Sequence, residues 1–176
     1  MLLWVCPATQ KNFFGTDRSV DPVRLAGVRY DGSAQSIEEA LIDASQLLAR
    51  EGGKPDVAIM SYSSFSALQK SLGTKVQYIN VEGDAKISFR GIQVTGANST
   101  INVFPDRSCP QLTCYLLTMS SWSLEGLGEV PQILRYSDGM EMLRVGNADQ
   151  GEVRVGAYFQ LACNAPGWNA NVTLSA

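Results

Sequence analysis

The side chains that could carry out catalysis are few and poorly spaced for it. The chain of 176 residues contains no histidine, so neither a Ser-His nor a Cys-His nucleophile pair can form. The Gly-x-Ser-x-Gly and phosphate-loop patterns are absent, and Gly83, Gly91 and Gly96 are spaced like turn glycines. A serine at a strand-to-helix turn, Ser61 or Ser64, leaves a small acyl hydrolase as a minor alternative. The sequence predicts no catalytic residue, no cofactor site and a protein that is not an enzyme.

The cysteines do not form a metal-ligand pattern. There are four of them, Cys6, Cys109, Cys114 and Cys163. They include no C-x-x-C pair, and without histidine no zinc set can be completed. Cys109 and Cys114 are close enough in sequence to form a disulfide, but the place of Cys163 on an apolar strand face favours four reduced thiols. We therefore predict no metal site.

Composition and charge indicate a folded chain without a phosphate-binding surface. Hydrophobic residues make up 45% and charged residues 18% of the sequence, which argues against disorder. The net charge is -3, and no run of lysine and arginine supplies the basic patch of a nucleic-acid binder. No stretch approaches the ~18 apolar residues that span a bilayer, and Met1–Cys6 lacks the positive start of a signal peptide. We expect no membrane partner and a cytosolic origin.

The first clear element is a helix, which follows an irregular segment over residues 1–35. Ser36 and Glu39 form a capping-box pattern, and apolar residues then recur at helical spacing on one stripe. Gly52 and Gly53 stop the pattern. The sequence predicts a helix over 37–51.

After this helix the sequence predicts one further helix and then mostly strands. Ser61 can cap a helix over 62–72. Short strands are predicted at Val57–Met60, Lys75–Val81, Ala85–Phe89, Ile92–Thr95, Thr100–Phe104, Leu112–Met119 and near Asn171–Leu174. Glu82-Gly83-Asp84 is a plausible hairpin turn. Trp168 follows Pro166-Gly167 and is expected to anchor a tight turn.

Two further patterns lie between residues 122 and 145. Trp122–Leu127 is predicted as one helical turn. Gln132–Ser137 and Met140–Val145 flank Asp138-Gly139, which is a strong hairpin signal. The two flanking segments are therefore predicted to pair with each other.

The longest periodic pattern lies near the end of the chain. From Glu152 to Asn164 the side chains alternate almost without a break, which is typical of a half-buried strand. At ~3.3 Å per residue such a strand would be about 40 Å long. Its apolar face consists of Val153, Val155, Ala157, Phe159, Leu161 and Cys163. A strand of this length suggests an elongated building block.

The apolar stripe of the 37–51 helix needs a covering surface. The widest apolar surface in the sequence is the face of the 152–164 strand, so we expect the helix to pack on a sheet that contains it. Phe159→Ala and Leu48→Ala should then each cost about 2–5 kcal/mol and be non-additive.

Three segments resemble the major capsid (coat) proteins of tailed double-stranded-DNA phages. Residues 36–73 combine a helix, a Pro-Asp-apolar-apolar strand and a short helix that ends in leucine, which is similar to a recurring block of these proteins. Residues 89–96, FRGIQVTG, resemble the following turn into a strand. Residues 154–174, RVGAYFQLACNAPGWNANVTL, resemble the terminal strand. The resemblance covers about residues 12–174.

This resemblance implies an α+β fold, the capsid-protein fold shared with encapsulins and herpesvirus shells. That fold has a long spine helix, a peripheral β-sheet and a mixed α/β axial domain. By resemblance, 36–56 and 151–176 form the peripheral domain, whose spine helix is 37–51. Residues 57–150 form the axial domain, and 1–35 form an irregular N-terminal segment.

The same resemblance implies a structural function. The chain would be a subunit of an icosahedral shell around double-stranded DNA, located in the virion capsid and assembled in the cytoplasm of the bacterial host. Its partners would be copies of itself in hexamers and pentamers, with scaffold and portal proteins as further partners, and DNA would be held by enclosure alone.

The sequence departs from this family at its N-terminal side, and two alternative functions stay open. Coat proteins of this family carry an N-terminal arm and an extended loop before the spine helix, but only about thirty residues precede that helix here. Both elements are therefore expected to be missing, and a truncated form of this kind is expected to be a monomer or small oligomer. The alternatives are an encapsulin-like compartment shell, which shares the architecture, and a carbohydrate-binding β-domain.

Overall fold

The computed structural model describes residues 7, 12–13, 15–72, 78–81, 89–129, 131–135, 139–144 and 151–175. The chain divides into two compact units. The sheet unit consists of Met1–Ser121 with Ala165–Ala176, and the ribbon unit is Trp122–Asn164. These boundaries differ from the expected ones. The sheet unit continues past residue 56 to Ser121, and residues 151–164 belong to the ribbon unit. The peripheral and axial domain roles stay predictions.

Three α-helices occur in the described part of the sheet unit: α1 at Pro22–Ala26, α2 at Ile37–Arg50 and α3 at Tyr62–Leu72. The capping box of α2 is present, since the Glu39 N–H donates to Ser36 Oγ (3.3 Å) and the Ser36 N–H donates to Glu39 Oε2 (3.1 Å). The predicted 37–51 and 62–72 helices are confirmed to within one residue at each end. The spine-helix role of α2 stays a prediction.

The sheet unit contains a seven-stranded mixed sheet. Its strands are β1 (Val28–Asp31), β2 (Val57–Met60), β3 (Tyr78–Val81), β4 (Phe89–Thr95), β5 (Thr100–Pro105), β6 (Thr113–Leu117) and β13 (Ala170–Thr173). Their order across the sheet is β1-β13-β6-β2-β5-β4-β3. β1 is parallel to β13 and β2 is parallel to β5, and the other neighbours are antiparallel.

The predicted strands of this sheet are confirmed with small changes where the structure describes them. The prediction that residues 1–35 are irregular is wrong, because α1 and β1 lie within them and β1 pairs with β13. β4 runs from Phe89 through Gly91, so the two strands predicted on either side of Gly91 are one. β3 and β4 pair in antiparallel fashion from Val81 and Phe89. The predicted turn between them, residues 82–84, lies outside the described residues.

Helix α2 supplies much of the core of the sheet unit. Its stripe of Ala40, Leu41, Ala44 and Leu48 is completely buried, and the helix packs against β13 and β1. The expectation that this stripe packs on the 152–164 strand is therefore wrong. The cover comes from the strand that follows that segment, where Val172 is also completely buried.

The described residues of the ribbon unit contain six short strands, which form three two-stranded antiparallel pairs in succession along an outgoing and a returning side; we call these pairs together the ribbon. The strands are β7 (Trp122–Gly126), β8 (Gln132–Ile133), β9 (Met142–Arg144), β10 (Gly151–Val153), β11 (Val155–Gly156) and β12 (Phe159–Cys163). β7 pairs with β12, β8 with β11 and β9 with β10. The outgoing side of the ribbon thus runs through β7, β8 and β9, and the returning side through β10, β11 and β12.

Three predictions for this region need correction. Trp122–Leu127 is the strand β7 and not a helical turn, because its residues pair with β12. The predicted hairpin about Asp138-Gly139 is wrong in its pairing, since β8 and β9 each pair with the returning side. The long 152–164 strand is extended but divided into β10, β11 and β12.

Candidate functional site

The ribbon carries apolar residues opposite one another along its length. Direct cross-strand neighbours are Leu124 and Leu161, Ile133 and Val155, and Met142 and Val153. Opposite residues of an antiparallel pair place their side chains on the same face. Phe159 lies opposite Gly126, which has no side chain to cover it. We call these seven side chains the apolar ribbon surface: Leu124, Ile133, Met142, Val153, Val155, Phe159 and Leu161.

Much of the apolar ribbon surface is exposed. The exposed fraction is 66% for Val155, 62% for Leu124 and 57% for Phe159. Ile133, Met142 and Val153 are also exposed, and Leu161 is partly buried. Burying one such side chain fully is worth about 1.5–3 kcal/mol. A run of exposed apolar side chains of this size is typical of a surface that binds another protein.

The strand pairing of the ribbon also bears on its stability. A two-stranded ribbon alone is marginally stable in water, and a third strand or a packed helix is normally required. Each ribbon strand in the described residues has one partner strand. A protein partner on the apolar ribbon surface would supply such support.

One polar pair lies between apolar side chains where β7 pairs with β12. Glu125 lies opposite Gln160, between the Leu124–Leu161 pair and the Gly126–Phe159 pair. Both polar side chains are exposed. Because strand residues alternate between faces, this part of the ribbon has one apolar and one polar face.

Two pairs of oppositely charged side chains lie along the ribbon. Arg135 Nη2 lies 2.8 Å from Glu141 Oε1, and Arg154 Nε lies 2.7 Å from Glu152 Oε1. All four side chains are about half exposed or more. Exposed pairs of this kind add little stability.

The serines considered for hydrolysis have structural partners. Ser61 Oγ lies 3.0 Å from Ser63 Oγ and 3.1 Å from Ser64 Oγ, and it accepts a hydrogen bond from the Ser64 N–H at the start of α3. Ser61 and Ser64 are both buried. This arrangement caps a helix, and it gives no support to the acyl-hydrolase alternative.

The cysteines of the described residues form no disulfide. Cys109 Sγ lies 3.4 Å from the Thr113 carbonyl oxygen, and burial, with a smaller effect of Asp106, raises the pKa of the Cys109 thiol to about 11. Burial also raises the pKa of the Cys114 thiol well above its usual range. Protonated, buried thiols are poor nucleophiles, so Cys109 and Cys114 are packing residues.

The described residues contain no group of three acidic or cysteine side chains placed to hold a metal ion. Within the same residues, none of the helices has the length and apolar character needed to cross a bilayer.

The anchor predicted at Trp168 is confirmed, because its indole N–H donates to the Glu51 carbonyl oxygen (3.0 Å) at the end of α2.

The sequence patterns did not predict that the outgoing side of the ribbon contributes to the apolar ribbon surface. Leu124, Ile133 and Met142 fell within segments predicted as a helical turn and a local hairpin. The signal for β7 is the alternation in Trp-Ser-Leu-Glu-Gly, where apolar and polar residues follow a period of two.

Comparison with known proteins bears on the fold. Neither a protein-family model nor a curated protein sequence matches the chain. A solved structure that resembles it is the holo-SrpI encapsulin complex from Synechococcus elongatus PCC 7942, with a TM-score of 0.52 and 13% sequence identity. The chain shares its fold with that encapsulin over the matched region. The likeness covers 82% of this chain and 52% of the encapsulin chain, so the chain spans about half the length of that protein.

Proposed function

We propose that the chain is a structural subunit of a protein shell and acts by self-association. The observation that carries this proposal is the apolar ribbon surface on a chain with a capsid-like fold. Such a surface is unfavourable in water and favourable in an assembly, where a neighbouring copy covers it. The chain would then have a mechanical function, without catalysis or a cofactor.

The leading form of the proposal is a phage capsid subunit in the virion. It is supported by the resemblance of residues 36–73, 89–96 and 154–174 to coat proteins of tailed phages. In this form copies of the chain would make hexamers and pentamers, scaffold and portal proteins would be further partners, and the shell would enclose double-stranded DNA.

The second form is a subunit of an encapsulin-like compartment. The likeness to an encapsulin complex fits this form and the first form equally. The two forms differ in what the shell encloses, which is DNA in the first and protein in the second. Particles recovered from expressing cells, treated with nuclease and then analysed for nucleic acid and for co-purifying protein, would distinguish them.

Self-association is tested by sedimentation velocity of the purified chain over a range of concentrations. The test variant replaces Leu124 and Phe159 by serine, and the matched control replaces Gln160 by serine on the polar face. We expect the wild type and the control to associate, and the test variant to associate at least about tenfold more weakly, which is about 1.4 kcal/mol.

Circular dichroism should show that both variants fold, since the substituted residues are exposed in the single chain. A wild type that stays monomeric at every concentration would contradict the proposal. Equal association of the wild type and the Leu124/Phe159 variant would contradict the role of the apolar ribbon surface.

A further inference from the structure

The two residues that flank the ribbon, Ser121 and Ala165, both bind one buried side chain. The ribbon unit begins at Trp122 and ends at Asn164. Asn169 Nδ2 lies 3.1 Å from Ser121 Oγ, just before the ribbon, and 3.1 Å from the Ala165 carbonyl oxygen, just after it. One amide group therefore donates to both flanks of the ribbon.

Asn169 is itself held firmly in the sheet unit. Its side chain is completely buried, and its Oδ1 accepts a hydrogen bond from the Thr118 N–H (2.9 Å). The Val28 N–H donates to the Asn169 carbonyl oxygen (3.0 Å). In addition, the Thr118 hydroxyl donates to the Trp168 carbonyl oxygen (2.8 Å). Asn169 thus joins both flanks of the ribbon to the ends of β6 and β13.

We propose that Asn169 is a clamp that holds the two flanks of the ribbon at a fixed separation and so specifies its register. The clamp would be a positioning device for the apolar ribbon surface, so this role in assembly rests on the proposed function. The first ribbon pair, Trp122 with Cys163, lies directly beyond the clamped flanks.

The register matters because a ribbon of two strands has little else to fix it. A slip by one residue moves every side chain of a strand to the opposite face. In the ribbon such a slip would place Gln160 opposite Leu124 or Gly126, and it would break the apolar pairs. A short, buried amide with directional hydrogen bonds at both flanks opposes this slip, since breaking the bonds would leave buried polar groups unpaired.

Hydrogen exchange on the full chain tests the clamp independently of assembly. The variants are Asn169→Ala and Ser121→Ala, which removes one acceptor of the clamp. The probes in the ribbon are the N–H groups of Leu127 and Leu134, which bond across it to the carbonyl oxygens of Tyr158 and Arg154. We expect both probes to exchange at least about tenfold faster in Asn169→Ala, and faster to a smaller extent in Ser121→Ala.

The matched control is Ser45→Ala. Ser45 is completely buried, donates to the Ile42 carbonyl oxygen (2.7 Å) and accepts from the Ala97 N–H (2.9 Å). Its loss should speed exchange of sheet probes such as the Asn102 N–H, which bonds to the Asp56 carbonyl oxygen, and leave the ribbon probes unchanged. Asn169→Ala should instead speed hydrogen exchange of the ribbon probes more than that of the sheet probes.

The clamp is refuted if Asn169→Ala and Ser121→Ala speed ribbon and sheet probes equally, or leave the ribbon probes at the wild-type rate. Should Asn169→Ala fail to fold, Ser121→Ala alone decides between these outcomes. If the wild type does not associate, the proposed function fails while the exchange result still decides the clamp. If the wild type associates, both clamp variants should weaken its association.

Discussion

The two units treat the same kind of apolar face in opposite ways. In the sheet unit, α2 lies over β13 and β1, and Leu48 and Val172 are completely buried. In the ribbon unit, β12 carries a comparable alternation, yet Phe159 is 57% exposed. The chain therefore covers the apolar face of its sheet with its own helix, and the apolar side chains of its ribbon are exposed in the single chain.

The largest expected difference between the units is in core truncation. Leu48→Ala should lower the free energy of unfolding by about 2–5 kcal/mol, because it opens a cavity in a closed core. Phe159→Ala, an exposed change in the ribbon, should lower it by less than about 0.5 kcal/mol. Urea denaturation of the chain at a concentration where it is monomeric gives both values.

The double variant sharpens this comparison. Because Leu48 and Phe159 lie in different units, their effects should add to within about 0.5 kcal/mol. A strong effect of Phe159→Ala, or clear non-additivity, would mean that this side chain packs in a core, as the sequence analysis had expected.

An intermediate difference is expected from adding one methyl group to a glycine. A Cβ on Gly32 would lie 2.5 Å from Ala40 Cβ and 3.1 Å from the Thr173 carbonyl oxygen, and neither atom can move far. Gly32→Ala should therefore destabilise the chain by about 1–3 kcal/mol. Thermal unfolding measures this loss.

Gly151→Ala is the matched change in the ribbon. Its Cβ would lie 2.5 Å from Met142 Sδ, which belongs to a flexible and exposed side chain. Met142 can rotate away from the added methyl group, and the smaller conformational freedom of alanine in the unfolded chain offsets part of the destabilisation. Gly151→Ala should therefore destabilise the chain less than Gly32→Ala. Equal losses for the two variants would show that the ribbon is packed as rigidly as the sheet.

The smallest expected effect concerns the cysteines and pH. The folded pKa of Cys109 is raised to about 11 from the ordinary 9.0, so the folded state keeps a proton that the unfolded state loses. The stability from this group is fully present below pH 9 and is lost as the pH rises to about 11. Melting temperatures across this range should fall less steeply in Cys109→Ala than in the wild type.

Thiol reactivity gives the corresponding comparison between units. In a Cys6→Ser background, at pH 8, only about one Cys109 thiol in a thousand is ionised. The partly buried Cys163 of the ribbon should react first with a thiol reagent, and Cys163→Ser should remove this fast phase. A fast phase that survives this change would place a reactive thiol in the sheet unit.

The sequence predicted those parts of the fold that depend on neighbouring residues. The limits of α2 follow from Ser36 and Glu39 at its start and Gly52 beyond its end, and each of these acts within one helical turn. Most strands of the sheet were found for a similar reason, because a short apolar or alternating run is a property of a few consecutive residues. β1 was missed, since it lies in residues 1–35, where few apolar positions recur at a regular spacing.

The sequence could not specify which element covers which face. Alternation in 152–164 shows which side chains lie together, but any apolar helix would satisfy the same pattern, and β13 covers α2 instead. The Asp138-Gly139 signal failed for a related reason. A turn dipeptide favours a local reversal of the chain, whereas the pairing of β8 with β11 is determined by residues more than twenty positions apart.

The position of β13 has a consequence for the order of synthesis. β13 lies between β1 and β6 in the sheet, and it is the strand with which β1 pairs. A ribosome that makes this chain completes β1, α2 and β6 well before it reaches residues 170–173. Until then the buried side of α2 lacks its cover, and the nascent chain presents an unpaired strand edge at β6. Nascent chains with an uncovered apolar face and an unpaired strand edge aggregate readily and fold slowly. The yield of this protein in cells should therefore depend on how fast the ribosome translates the segment between β6 and β13.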